Sequence, residues 1–456
     1  MSSLVGMIKR RVPKFPRFVG DALAKIPYSY RPGFALSYRA ASARRRWFDE
    51  TATLREKKDY IFQSTRRVVA HAIKNAPFYR RYYAEHGFSL DDLRTFDDIV
   101  RIPIVTKETL RDVPLEERSC RRRGRTETYT GGSTGEPFKF YSDPAQIGVE
   151  WAHMHYVWSR LGYRFGDLLL SVCFDPEEPP VFYDALRHSI SLNVFYPRDR
   201  VVEAFLALPK RRRRVSFFRG YPSAIAELLD YCERHAPHAT AELRETLQGS
   251  FLASEYPFPA HRRLIEGATR KPTISWYGLS ERVLLAYERT RPFVYEPMHS
   301  YGYCEAVENA SGFTTLVGTS YFNFASPLIR YRVDDGVVPL ASEDGLLLSF
   351  EISEGRLGDY IVDKKGDRFS ITHLNLSCRE ETWEVARCVQ VEQREAGKIV
   401  LWVTPRRETS IEELRRVFAF DNLPLDCEYR IVERPFVSQR GKTLLKINSA
   451  ERGSDK

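Results

Sequence analysis

Apolar residues recur at helical spacing through Thr51–Asn75, where Leu54, Ile61, Val68, Val69, Ala72 and Ile73 share a side and Pro77 stops the run. Asp143–Arg160 reads the same way, with Trp151, His155 and Trp158 on one face. Between them lie NAPFYRRYYAEHGF and IVRIPIVTKETLRD, and in the second Thr106 is placed to cap a helix starting at Lys107. The run LLLSVCF (Leu168–Phe174) predicts a buried strand. Val215–Cys232 predicts strand, turn at Gly220-Tyr221-Pro222, then helix with Ser223 as its cap. Gly249–Pro259 predicts strand and loop, His261–Gly267 a helix, and Pro272–Arg282 strand and loop again. Alternation of this kind predicts α/β layers. From Val294 to about Leu348 the helical period gives way to short β-like runs, FTTLVGTSYF, SPLIRYRV and GLLLSFEI, which predict a β-rich subdomain. After Gly355-Arg356 the pattern changes once more. YIVD, KIVLWVTP and Glu428–Val432 read as strands, and Ile411–Phe420 as a helix with Ser410 and Glu413 as a capping box. The expected architecture is a large N-terminal domain (1–355) and a small α+β C-terminal domain (356–456). Residues 1–50 form a basic arm in which Pro13, Pro16, Pro27 and Pro32 prevent a long helix.

Composition narrows the classes. At 456 residues, two or three structural units are expected, and 43% hydrophobic residues supply a large core. The net charge of +10 is spread among interspersed charges of both signs, which fits either a solvated surface or a site for anionic ligands. Seven scattered cysteines without a CxxC pair argue against a disulfide framework or zinc ribbon and favour a reducing compartment. No apolar run approaches a membrane span, and MSSLVGMIKRRVPKF lacks the apolar centre of a secretion signal, so a cytoplasmic location is expected. The N-terminal arm is read as packing material, with contact to an anionic membrane surface as the alternative. The basic run Lys210–Arg214 has no interleaved aromatics, so no nucleic-acid partner is expected. His153 and His155, two residues apart, are read as core or surface histidines and not as metal ligands.

One stretch stands out for its chemistry. Thr128–Phe140, TYTGGSTGEPFKF, brings glycines and hydroxyls together ahead of a strand-like run, which suits a backbone cradle for phosphate. It is not a Walker A loop, since no Gly-Lys-Ser/Thr follows at the required spacing. The tip of a polar hairpin fits the stretch equally well.

TYTGGSTGEP, LASEYPFP, SWYGLSER, PLIRYRVDDG with GRLGD, and QRGKTLLKI follow one another in an order that resembles the adenylate-forming superfamily. Within it the chain looks most like the phenylacetate–CoA ligase branch, including its capsule-biosynthesis (CapK-like) members, from about residue 70 to about 450. The resemblance implies ATP- and Mg²⁺-dependent activation of a small carboxylic acid as its acyl adenylate, then transfer to CoA, an amine or a separate carrier. It implies that Thr130, Gly131, Ser133, Thr134 and Gly135 hold phosphates, with Lys139 a loose match to a basic position nearby. Glu255 belongs to the nucleotide site. Tyr277 lies against adenine, with Gly278 and Ser280 in the same motif, and Glu281 holds Mg²⁺. Asp335 accepts from the ribose hydroxyls, Arg356 lies near ribose and phosphate, and Asp359 sits near a hinge at Gly355–Asp359. Lys442 reaches the α-phosphate, with Lys446 as the competing candidate. Three positions depart from the pattern: Gly132 where serine is common, Ser254 where glycine is usual, and Val333-Asp334 in place of Thr-Gly. Bland readings stand beside these: Glu281-Arg282 as a surface ion pair, Asp-Asp-Gly as a turn, and Lys442 as a solvated tail residue. The aromatic stretch Pro180–Pro197 reads as core, or as lining for an acyl pocket. The functional alternatives are an amide-forming ligase without free CoA and a catalytically degenerate scaffold of the same fold. A homodimer is compatible with all of them.

Overall fold

The computed structural model describes residues 15–33, 35–129, 138–175, 178–309, 312–356, 360–364, 366, 368–371, 380–418, 425–437 and 443–447. Two short helices, α1 (Arg17–Ala24) and α2 (Ala35–Arg46), precede α3 (Leu54–Asn75). The start of α3 is set by a reciprocal cap: Thr53 Oγ1 accepts from the Glu56 amide, and the Glu56 carboxylate accepts from the Thr53 amide at 2.8 Å. Pro77 ends α3 as expected and then opens α4 (Pro77–Glu85), because the first helical position has no use for an N–H. Thr106 caps α5 (Lys107–Arg111) as expected, accepting from the Thr109 amide at 3.1 Å.

Helix α6 (Ala145–Ser159) receives the N-terminal arm. Tyr28, Tyr38 and Ala41 join Trp158 in one apolar cluster, and the Tyr38 hydroxyl is hydrogen-bonded to His155 Nδ1 at 3.1 Å. From Tyr28 onward, therefore, the arm is packing material. Burial pushes the His153 and His155 imidazoles down to about 3, so both are neutral core residues. Six cysteines among the described residues are free. No helix among the described residues is long and apolar enough to cross a membrane.

Strands β1 (Thr126–Tyr129) and β2 (Lys139–Ser142) pair as an antiparallel hairpin. Next come β3 (Leu169–Cys173), β4 (Val181–Asp184), β5 (Ser189–Asn193), α7 (Arg198–Leu206), β6 (Phe217–Gly220), α8 (Pro222–His235), α9 (Pro237–Thr246), β7 (Gly249–Leu252), α10 (Pro259–Thr269) and β8 (Thr273–Gly278). The β-rich stretch supplies β9 (Leu285–Glu288), β10 (Val294–Pro297), β11 (Gly302–Glu308), β12 (Thr314–Ser320), β13 (Tyr331–Glu343) and β14 (Leu346–Arg356). It continues the α/β sheet, giving one twelve-stranded sheet in the order β11-β12-β13-β14-β10-β9-β8-β7-β6-β3-β5-β4. Strands β5, β3, β6, β7 and β8 run parallel, and the sheet turns antiparallel between β8 and β9. Both faces of the parallel half are covered, as its near-continuous apolar strands require. Val201, Phe205, Ile225, Leu229 and Ile265 from the helices after β5 lie on one face. Helix α6 and the arm lie on the other. The Pro180–Pro197 stretch forms β4 and β5, with Val181, Tyr183 and Tyr196 packed on the first of these cores.

The chain continues with the hairpin β15 (Tyr360–Val362) and β16 (Arg368–Ser370), then α11 (Glu380–Val385), β17 (Ala386–Glu395), β18 (Lys398–Pro405), α12 (Ile411–Phe418) and β19 (Asp426–Ile431). The last three strands make a separate sheet over a core that includes Ile361, Val391, Leu401, Leu414 and Tyr429. Ser410 caps α12, accepting from the Glu413 amide at 3.2 Å. The expected capping box does not close, because the Glu413 carboxylate turns to Arg407 at 2.6 Å, a stronger charged partner.

A buried ion pair locks the α3–α5 region to the antiparallel half. Arg330 meets Glu305 through two contacts of 2.6 and 3.1 Å, and its third nitrogen donates to the carbonyls of Val100 and Ile102. Arg330→Met leaves a buried carboxylate unpaired and is expected to lower unfolding stability by about 3–5 kcal/mol. Arg330→Met with Glu305→Met is expected to recover most of that loss; urea unfolding of both variants checks it.

Candidate active site

Three parallel strands end side by side, and the chain leaving each one enters the site. In open α/β sheets this carboxyl edge is where ligands bind. Strand β6 ends at Gly220, where a Cβ would come within 2.8 Å of the Val172 Cβ. Helix α8 starts directly afterwards with Pro222 at its first position and Tyr221 as the cap residue. Ser223 therefore lies inside the first turn and is not the cap that the sequence predicts. Its amide and hydroxyl both donate to Glu255 Oε2, at 3.2 and 2.6 Å. Glu255 follows β7, and its carboxylate thus supplies what the first turn of α8 lacks.

The other Glu255 oxygen accepts the backbone amide of Thr443 at 2.9 Å, and the Thr443 and Ser223 hydroxyls are 2.9 Å apart. A residue near the end of the chain is so held at the mouth of β6 and β7. Lys442 lies outside the described residues, as the immediate neighbour of Thr443. Lys446 has its backbone in a bridge to Val391 of β17, which keeps it with the small C-terminal sheet. Further contacts join that unit to α8. Arg406 meets Asp230 at 3.0 Å, Arg387 meets Glu227 at 3.2 Å, and Arg198 also pairs with Glu227.

At the end of β8, Tyr277 donates to Asp335 Oδ2 at 2.5 Å, and its ring meets Tyr295 and Phe350 edge-on. Asp335 is thereby oriented, and its second oxygen accepts no hydrogen bond among the described residues. It stands on β13 directly across from Arg356 of β14, at a bulge. A bulge bends the strand and re-aims its side chains. Gly278, the last residue of β8, and Ser280 on the following turn are exposed. Glu281 is buried and accepts from the Tyr331 hydroxyl at 3.2 Å, and Tyr331 stacks on Phe138. Arg282, at φ +54°, turns away to Glu150 of α6 at 2.6 Å. The Glu281-Arg282 pair is thus not a surface ion pair: each side chain faces a different partner.

Thr130, Gly131, Gly132, Ser133, Thr134 and Gly135 lie outside the described residues, as does Asp359; the first six fall between the paired strands β1 and β2. Lys139 pairs across that hairpin with Glu127 at 3.6 Å. Sequence reasoning missed the Ser223–Glu255–Thr443 contact and the Tyr331–Glu281 bond. Both depend on residues far apart in the chain, and only the tyrosine inside RYRVDDG hinted at the second. Ser254 has φ +67°, which accounts for the glycine usual there.

No protein-family model matches the chain. A phenylacetate–coenzyme A ligase of Pseudomonas putida is 27% identical over 320 residues, covering 63% of this chain and 67% of that protein. A 2-hydroxyisobutyryl-CoA ligase, solved in its postadenylation state with an acyl-AMP, matches 90% of this chain and 92% of its own at a TM-score of 0.68 and 18% identity. An acyl acid amido synthetase matches 91% of this chain and 95% of its own at 0.57 and 12% identity. The chain has the adenylate-forming ligase fold. Against the 2-hydroxyisobutyryl-CoA ligase, the TM-score falls to 0.56 for the thioesterification state and 0.52 for an open conformation.

A β-branched residue tolerates positive φ poorly. Ser254→Val is expected to cost about 1–2 kcal/mol by thermal or denaturant unfolding, because its backbone must stay left-handed for Glu255 to reach Ser223.

Proposed function

We propose that this chain is an ATP- and Mg²⁺-dependent ligase that converts a carboxylic acid into its acyl adenylate. The observation that supports this best is that the carboxyl edge of the sheet carries Glu281, the Tyr277–Asp335 pair, and Glu255 with its bond to the Thr443 amide, in a chain with the adenylate-forming ligase fold. In the reaction a substrate carboxylate oxygen attacks the α-phosphorus of ATP, the bond to the β-phosphate breaks, and pyrophosphate leaves. Two anions must be brought together, so positive charge and in-line positioning dominate the chemistry.

The Asp335 oxygen left open by Tyr277 would accept from the ribose diol, which presents two donors to an acceptor-only group. Tyr277 would lie along the adenine, Glu255, Gly278 and Ser280 would border the nucleotide, and Arg356 would reach towards ribose and phosphate. Thr130, Gly131, Ser133, Thr134 and Gly135 would hold the phosphates. Glu281 suits a hard cation: a single carboxylate beside phosphate oxygens and water is the usual company of Mg²⁺, which would neutralise phosphate charge there. Lys442 would reach the α-phosphate, since the Thr443 amide next to it is fixed on Glu255. The small unit would swing about Gly355–Asp359, with residues 1–355 as the stationary domain and 356–456 as the moving one. Its contacts to α8 are ion pairs and a hydroxyl–hydroxyl bond, which suits an interface that must open.

CoA is the acceptor favoured by the likeness to the phenylacetate ligase. The likeness to an amido synthetase supports an amine as the second reading. A capsule-type (CapK-like) role in polysaccharide biosynthesis, in the cytoplasm, remains part of the proposal and rests on the motif order alone. Acid-dependent ATP–pyrophosphate exchange across a panel of acids tests the activity, and its absence with every acid would favour a scaffold. Lys442→Ala is expected to lower exchange at least about 100-fold while ATP binding stays within a few-fold, the mark of a group that acts mainly on the transition state. Wild-type exchange in that variant would remove the role. Glu281→Ala is expected to raise the Mg²⁺ concentration needed for half-maximal rate, and an unchanged metal titration would count against Glu281 as its ligand.

A further inference from the structure

Arg219 is the next-to-last residue of β6, one position inside the carboxyl edge at which Ser223, Glu255 and Thr443 meet. On the parallel sheet it stands level with Ser171 of β3 and Phe251 of β7. Neighbours in register share a face, so its side chain belongs with α6 and the aromatic cluster around Trp158. It is partly buried there, its guanidinium 5.4 Å from the centre of the Trp158 ring. Among the described residues it has no hydrogen-bond or ion-pair partner.

Charges on neighbouring elements already have partners of their own. Glu150 of α6 is held by Arg282 at 2.6 Å, and Asp184 of β4 is held by Arg187 at 2.8 Å. Arg31, stacked over Tyr28, donates to the carbonyls of Leu23 and Ile26. Arg187 lies close enough to disfavour the Arg219 charge, Tyr28, Tyr221 and Glu150 oppose that effect, and burial above all pushes the guanidinium down to about 10. It remains charged at neutral pH. Beside it the Ser171 hydroxyl is buried without a partner, as is that of Ser189 on β5. A guanidinium left without a counter-ion at the rim of a ligand site, next to unused hydroxyls, is incomplete as a structural element and complete as half of an anion site.

We propose that Arg219 binds a second anionic group on the acid, so that the substrate class is a dicarboxylate or a phosphorylated hydroxy acid and not a plain monocarboxylate. The inference rests on the adenylation reading above. The reacting carboxylate goes to the rim, near Thr443. Arg219, one residue deeper and on the aromatic face, takes the far end of the same molecule. Its planar fork accepts a carboxylate or a phosphate, with Ser171 as the adjoining donor.

The test is ATP–pyrophosphate exchange with succinate, 3-phosphoglycerate and butyrate on the wild-type chain, Arg219→Met and Arg219→Lys, with thermal melting to show that each variant is folded. Wild type is expected to favour one of the two dianionic acids over butyrate by about tenfold or more in kcat/KM, and which one identifies the second group. Arg219→Met is expected to erase that preference through KM, and Arg219→Lys to keep part of it. A wild-type preference for butyrate, or an unchanged ratio in Arg219→Met, overturns the proposal while leaving adenylation standing. If none of the three acids supports exchange, the acid panel above decides the adenylation reading, and calorimetric binding of succinate and 3-phosphoglycerate judges the subsite alone. Binding weakened about tenfold or more in Arg219→Met upholds it, and equal or absent binding sinks it.

Discussion

Everything in the candidate site depends on the change of direction at β8. Strands β5, β3, β6, β7 and β8 run the same way, so their carboxyl ends share an edge; β9 turns back and starts the antiparallel half. A strand at that boundary has the loops of the parallel half on one side and the long hairpin β13–β14 on the other. Tyr277, at its end, uses that position to reach Asp335 across the boundary, and Glu281 reaches Tyr331 in the same way. Were β8 and β9 parallel, a crossover would be needed between them, and Asp335 would have no reason to lie beside Tyr277.

A second constraint is the carboxylate of Glu255. It serves the open first turn of α8 through Ser223 and holds the Thr443 amide with its other oxygen. One side chain therefore ties together the ends of two strands, a helix start and the C-terminal unit. Ser254, directly before Glu255, holds a left-handed backbone at φ +67°, a conformation that favours glycine. The contacts farther along α8 differ in kind. Arg387 and Arg406 meet Glu227 and Asp230 through charge. Ion pairs of this type cost less to separate in water than a shared hydrophobic core, because water re-solvates both partners.

The elements were legible where local rules suffice. Thr106 and Ser410 mark helix starts by chemistry that acts over three residues, and the alternation from β3 to β8 follows from apolar spacing. Ser223 was misread because a serine after a Gly-Tyr-Pro turn looks like a cap. The proline already occupied the first helical position, which left the serine inside the turn for Glu255 to use. The β-rich stretch was legible as strands but not as a continuation of the same sheet, since strand partners are chosen by edges that the pattern along the chain does not reveal.

By itself the sequence determined which residue types were present, in which order, and what local shape each took: helix caps, buried strands, and an ordered set of segments resembling an adenylate-forming ligase. The tertiary structure alone decided who meets whom. It put Asp335 under the Tyr277 hydroxyl, sent Arg282 to Glu150 and away from Glu281, and drew Thr443 across the chain to Glu255. It also left Arg219 without a counter-ion among the described residues. The reason is physical: capping and periodicity are short-range and written in neighbouring residues, whereas a counter-ion or a hydrogen-bond partner is set by sheet register and domain docking.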